Sequence, residues 1–207
     1  MKKFTLAMSC AVCLMLSGCS DTSTEPAKKV APKPPEAAGG LDALYQMYRP
    51  ARNWASDVEV LKVGSIYMPE AGVKIVPGKA VAWEATFVSP SRQKARRWTY
   101  SAVEGEGNLH KGAFAGLEES WSGPRGVNKT FIIQAVKFDT DAAYNTAMTK
   151  AAEYDKKNPG KPISFILEST KKFPDPVWRV IWGESVGTSN FSIIVDASTG
   201  KYQETMR

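Results

Sequence analysis

The sequence predicts an α+β protein made of two similar units, each a helix packed on a three- to four-stranded antiparallel sheet. Three observations predict it. Apolar residues recur at helical spacing once in each half. Each such stretch precedes runs in which apolar and polar residues alternate, as half-buried strands do. The order of elements also repeats: Asp42-Ala43-Leu44-Tyr45 aligns with Asp141-Ala142-Ala143-Tyr144, and Trp83-Glu84-Ala85-Thr86-Phe87 with Trp178-Arg179-Val180-Ile181-Trp182. This is the pattern of a tandem duplication. A helix laid across a sheet buries one sheet face, so the stripes at 83, 85, 87 and 178, 180, 182 are expected as core before any cofactor box.

In chain order, Leu41, Leu44, Tyr45 and Tyr48 share a helical face, and Pro50 is expected to end or kink that helix near Arg49. Strands are expected at 58–67, 80–88 and 97–103, the last two joined by a turn at Ser89-Pro90-Ser91. The second half opens with a strand at 130–138 and a helix at 141–155, whose apolar face is Tyr144, Ala147, Met148 and Ala151. Asn158-Pro159-Gly160 stops the helix. Ile163, Phe165 and Leu167 then alternate, as do Trp178, Val180 and Trp182, and finally Phe191, Ile193 and Val195. Between the halves, glycines crowd 105–126 around Phe114, Leu117 and Trp121, which reads either as a lid over a pocket or as a linker.

Composition narrows the chemistry. The chain has 207 residues, 43% hydrophobic and 23% charged, so it can bury a sizeable core. All three cysteines, Cys10, Cys13 and Cys19, fall in the first nineteen residues, which leaves the folded part without disulfides or thiolate metal sites. The single histidine, His110, rules out a His-rich metal centre. No cofactor and no metal are expected.

The N-terminus carries the strongest signal. Lys2 and Lys3 precede an apolar run from Phe4 to Leu16, too short for a membrane-spanning helix, which needs about 20 residues. The run ends in Leu16-Ser17-Gly18-Cys19. This resembles the lipobox of bacterial lipoproteins, in which small residues admit the backbone to a peptidase and the cysteine thiol takes a diacylglyceryl group. The resemblance implies a signal peptide at 1–18 and Cys19 as a lipidated first residue, carrying acyl chains such as palmitate. Several chains at about 0.8 kcal/mol per buried CH₂ make a stable anchor. In the family, a residue other than Asp after the cysteine favours the outer membrane; here it is Ser20. The expected location is therefore the cell envelope, at the outer membrane facing the periplasm in a Gram-negative host.

Residues 19–40 hold Pro26, Pro32, Pro34 and Pro35 with Lys28, Lys29 and Lys33, and no hydrophobic period. Such a stretch reads as a tether of extended polyproline character, reaching about 65 Å at most. The expected organisation beyond it is a first α+β unit at 41–107, a Gly-rich connection at 108–129 and a second unit at 130–207.

The end of the chain, from Phe191 to Lys201, runs as a strand into Asp196, Thr199, Gly200 and Lys201. Asp196 is suited to bond N–H groups two residues on, and Gly200 to supply a positive φ. This resembles the closing hairpin of PepSY-type domains, and 142–183 fits the same outline. The first half departs from it, its matching turn reading Val103-Glu104-Gly105-Glu106-Gly107, so that copy either belongs to the family or merely shares a cystatin-like outline. In the family such modules are non-catalytic and some restrain secreted peptidases, so the resemblance implies binding or inhibition.

No residue pattern points to catalysis. A catalytic histidine needs a nucleophile and an orienting group, and His110 lies in a Gly-rich connection without a recognisable partner. Glu104, Glu106, Glu118 and Glu119 show no spacing that predicts a carboxylate pair. The densest basic cluster is Arg92, Lys94, Arg96 and Arg97, at the tip of a hairpin. From Leu41 onward there are 22 basic and 18 acidic residues, net +4, a mild excess for which an anionic surface or an acidic protein is a better partner than nucleic acid. Charges at a hairpin tip also serve simply to block edge pairing. The expected function is a non-enzymatic, lipid-anchored module that binds an envelope protein. A carrier with a cavity between helix and sheet is the second reading.

Overall fold

In the computed structural model, residues 34–207 apart from 108 are described. Cys19, the lipobox and the tether up to residue 33 lie outside the described residues. The first half runs α1 (Gly40–Trp54), β1 (Glu59–Ile66), β2 (Ala82–Ser89), β3 (Lys94–Ser101) and β4 (Gly112–Ser120). The short β5 (Asn128–Lys129) follows. The second half runs α2 (Thr140–Lys157), β6 (Ile163–Thr170), β7 (Val177–Trp182), β8 (Ser192–Asp196) and β9 (Tyr202–Met206).

The fold is α+β, with one antiparallel sheet where the sequence suggested one per unit. Its order is β4-β3-β2-β1-β6-β7-β8-β9, with β5 paired to β6. The two meanders meet where Lys62 pairs with Glu168, Val63 with Leu167 and Gly64 with Ile166. Left apart, β1 and β6 would be open edges with unpaired backbone groups; joined, they satisfy each other and extend a single apolar face.

Register decides what that face holds. Val63 lies beside Ala85 on one side and Leu167 on the other, which puts Trp83, Ala85, Phe87, Phe165, Trp178, Val180, Trp182 and Ile193 on the same side. All are buried, beneath Ala43, Leu44, Met47 and Ala51 of α1 and Ala143, Ala147 and Ala151 of α2. The alanine stripe of α2 allows a close approach, and the aromatic rings fill its flank. Tyr154 stacks on Phe191 at 3.9 Å and meets Trp182 edge-on.

The indoles of Trp83 and Trp178 meet edge to face at 6.3 Å. Each donates its N–H to the carbonyl just ahead of a helix cap: Trp83 to Ala38 at 3.1 Å and Trp178 to Phe138 at 2.8 Å. The helices begin against one another. Asp139 Oδ1 accepts the N–H of Thr140 at 2.6 Å and that of Leu41 at 2.7 Å, and the Thr140 hydroxyl accepts from Gly40 N–H at 2.9 Å. One carboxylate thus caps two helices, satisfying N–H groups that have no partner within either helix.

Several sequence expectations change in detail. α1 runs through Pro50 to Trp54; its last turn is held by the fully buried Ala51 and by the Trp54 indole, which donates to Glu118 at 2.7 Å, and these contacts outweigh the missing N–H. The strand expected at 130–138 is a bridge from Phe131 to Val60 followed by a single 3₁₀ turn at Ile133–Ala135. That turn lets both Ile133 and Val136 reach the core, where an extended strand would point them to opposite faces. The Gly-rich stretch, open as lid or linker, contains β4, which pairs along β3. The helix alignment also shifts by one: the buried positions Gly40, Ala43, Met47 and Ala51 match Thr140, Ala143, Ala147 and Ala151.

Candidate functional site

The basic cluster sits at the β2–β3 hairpin, and the structure ties it down. Asp57 accepts the Ser89 hydroxyl at 2.6 Å and the Ser91 N–H at 2.7 Å, bonds that draw its pKa down to about 2. Gln93 adopts a positive φ of 53°, and its carbonyl accepts the Trp121 N–H at 2.9 Å. Arg92 folds back onto α1, donating to the Trp54 carbonyl at 2.7 Å and to Glu118 at 2.9 Å, with its guanidinium 5.2 Å from the Trp54 ring. Lys94 reaches the other Glu118 oxygen at 3.7 Å. The Trp54 indole bond, with the charges of Arg92, Lys94 and Arg96 behind it, holds the Glu118 carboxyl below the usual range.

Strand alternation splits the rest of the cluster. Arg96 lies on the helix side, bonded to the Gly116 carbonyl at 2.8 Å and 5.4 Å over the Trp98 ring. Arg97 lies on the other face, 3.5 Å from Glu84 and the most exposed of the four. The four cations therefore do not form one free patch. Sequence reasoning named Glu118 only among scattered carboxylates and missed its place in this cluster, because its pairing across β3 and β4 depends on a strand the sequence did not disclose.

At the other end of the chain, Asp196 Oδ1 accepts the N–H groups of Ser198 at 2.8 Å and Thr199 at 2.9 Å, and the Ser198 hydroxyl at 2.6 Å. Burial pushes this carboxyl up, but the hydrogen bonds outweigh it and hold the pKa below the ordinary value. Gly200 has φ +71°, and a Cβ there would stand 3.0 Å from the Phe138 ring, so both conformation and space require glycine. The turn is thereby locked to the segment leading into α2, a structural task.

His110 pairs with Glu104 at 2.6 Å and lies 4.6 Å from the Phe114 ring, half exposed. Glu104 is held below the usual carboxylate range by the Lys111 N–H, then by His110. Glu118 and Glu119 lie at the far end of β4, opposite Arg96 and Ala95, so the structure does not bring these carboxylates together. Among the described residues no group of three or more His, Cys, Asp or Glu could hold a metal ion, and no helix is long and apolar enough to cross a membrane.

Space between helices and sheet is filled by Trp83, Phe87, Phe165, Trp178 and Trp182. The concavities are at the surface. On the sheet face turned away from the helices, one of about 220 Å³ opens over Gly64, where the missing side chain leaves a dip lined by Lys62, Glu84, Thr86, Ile166 and Glu184. A larger one of about 320 Å³ lies at the end of β1, between the loop 67–80 and the start of β6. Its apolar rim went unread in the sequence, where Ile75 and Val76 look like loop residues between Lys74 and Pro77.

No family model and no curated protein matches the chain. One solved structure, that of a candidate lipoprotein from Clostridium difficile 630, aligns over 79% of this chain and 91% of its own at 9% identity, with a TM-score of 0.40.

Proposed function

We propose that the protein is a lipid-anchored, non-catalytic binding module of the cell envelope, held at Cys19 and displaying the helix-free face of its sheet to a protein partner. The observation that carries this reading is that face. Both helices cover one side of a nine-stranded sheet, and the other side presents Lys62, Glu84, Thr86 and Arg97 around the dip at Gly64, with Phe114 and Leu117 exposed at its β4 edge. Mixed charge with a few apolar side chains is the composition of a non-obligate protein interface. The lipobox supports the anchor, and the filled core weakens the carrier reading. Restraint of a secreted peptidase is the activity that the PepSY-like turn suggests for such a face, and outer-membrane placement follows from Ser20.

We also infer that the halves descend from one repeated unit. Trp83 lies opposite Ser65, and Trp178 opposite Leu167. Matching the two tryptophans therefore maps Ser65 onto Leu167 and Gly64 onto Ile166, and Gly64 and Ile166 are themselves paired across the central strands. A residue paired with its own counterpart is what a two-fold axis between repeats requires.

The test places a photo-crosslinking amino acid at Thr86 or, as a control, at Lys150 on α2, in cells making the native or the Cys19→Ala protein. The expected result is one protein adduct from position 86, none from 150, and loss of both adduct and membrane association in Cys19→Ala. Equal labelling from both positions overturns the face; unchanged membrane association of Cys19→Ala overturns the anchor.

A further inference from the structure

Ile75, Tyr67 and Val76 are 60%, 46% and 40% exposed, and they cluster on one loop at one end of the sheet. Ile75 and Tyr67, with Met68, Ile66 and Pro162, border the concavity at the end of β1, and Val76 follows Ile75 in the chain. Scattered apolar side chains on a surface are ordinary; a contiguous rim of them marks a contact. Three further observations say with what.

The first is where the chain arrives. Ala38 and Ala80 exchange both backbone hydrogen bonds, at 2.9 and 3.0 Å, and Ala80 lines this same concavity. The described chain begins four residues earlier at Pro34, and fourteen residues separate Pro34 from Cys19. Even drawn out at about 3.1 Å per residue a stretch of that length reaches no more than about 47 Å, so an anchor at Cys19 keeps this end of the sheet at high effective concentration near the bilayer.

The second is charge. Lys74 and Lys79 flank Ile75 and Val76, and Lys161 adjoins Pro162, against the single acid Glu70 in the 67–80 loop. Lysines beside apolar tips suit an anionic interface, where the tips enter the acyl boundary and the ammonium groups meet headgroups. The third is polarity along the sheet. Ala82 lies at the chain-arrival end of β2 and Ser89 at the Arg92 hairpin, about 23 Å away at the usual rise per residue. The hairpin thus faces away from the rim.

We propose that the rim formed by Tyr67, Met68 and Ile75, with the exposed Val76 next to it in the chain, docks on the anionic phospholipid bilayer that holds the anchor. This rests on the lipid-anchor reading above. Docking orients the domain, turning the Arg92 hairpin away from the membrane, and of the two expected partners of Arg92, Lys94, Arg96 and Arg97, an anionic surface or an acidic protein, it leaves the protein.

The test uses the mature acylated protein with Ile75→Cys or, as a control on the far edge strand, Leu117→Cys. Acylation of Cys19 leaves the introduced thiol as the reactive one, and it is labelled with an environment-sensitive fluorophore. The probe bilayer is a vesicle of phosphatidylglycerol and phosphatidylethanolamine, with and without brominated acyl chains. The expected result is a several-fold rise and blue shift of emission from position 75, quenched by the brominated lipid and reduced by high salt, with neither change at 117. Water-like emission from position 75 on protein that floats with the vesicles overturns the docking and leaves the anchor standing. An equal response at both positions also overturns it. Protein that does not float and carries no acyl group overturns the anchor, and the docking with it.

Discussion

The two halves of the sheet differ most where they touch. α2 begins with Asp139 as its cap and Thr140 as its first residue; the matching positions of α1 are Gly39 and Gly40. A Cβ on Gly39 would stand 2.2 Å from Asp139 Oδ2, and one on Gly40 would stand 2.5 Å from the Trp178 ring. The first half lacks side chains where the second supplies them. A contact between like positions has room for one carboxylate, and a second would repel the first. In one respect the halves agree: each has a tryptophan bonded to the carbonyl ahead of its own helix cap.

The largest expected effect tests that agreement. Trp83→Ala and Trp178→Ala should each lower stability by about 3–5 kcal/mol, as for other buried tryptophans. Because the rings touch, the double variant should lose less than the sum of the two. Urea midpoints check this, and a loss confined to one of the pair would break the equivalence of the halves. The next effect tests the difference. Asp139→Gly should cost about 2 kcal/mol, since one oxygen serves two helices. Adding Gly39→Asp moves the carboxylate to the matching position, and denaturation should then show part of the loss restored.

The smallest effect concerns a feature that only the first half has. Asp57 is bound to Ser89 and Ser91 with its pKa drawn down to about 2. Its stabilisation is therefore present above the unfolded carboxylate pKa of about 3.9 and lost as pH falls toward the folded value. The site is partly open to solvent, so Asp57→Asn should cost about 1 kcal/mol at neutral pH. In urea titrations the gap between native and variant should narrow as pH falls from about 4 toward 2; a gap at pH 2 as wide as at neutral pH would show that the hairpin does not depend on this charge.

Much of the fold was legible in the residues. Alternation at 83–87, 163–167 and 178–182 reads directly as buried strand faces, because the side-chain period of a strand is fixed. The Asp196–Gly200 turn was legible for the same kind of reason: a carboxylate two residues ahead of a free N–H and a glycine at positive φ are local requirements. β4 was not, since Gly112–Ser120 lacks alternation, being an edge strand that buries little. Pro50 misled because its local cost is visible in sequence, whereas the Ala51 and Trp54 contacts that offset it are not. The basic hairpin misled similarly: four cations are plain in the sequence, but Glu118, which draws in Arg92 and Lys94, comes from another strand.

By itself, then, the sequence determined the class of both helices and of the buried strands, the aromatic core positions, the closing turn and the resemblance of Leu16-Ser17-Gly18-Cys19 to a lipobox, all of which depend on neighbours within a few residues. Tertiary structure alone decided that the halves share one sheet through Lys62–Gly64 and Ile166–Glu168, that Asp139 caps two helices, and that Tyr67, Ile75 and Val76 gather where the chain arrives at Ala80. Each of these joins residues far apart in the chain, and no local period or spacing records which distant strand or helix will complete a backbone bond or a side-chain contact.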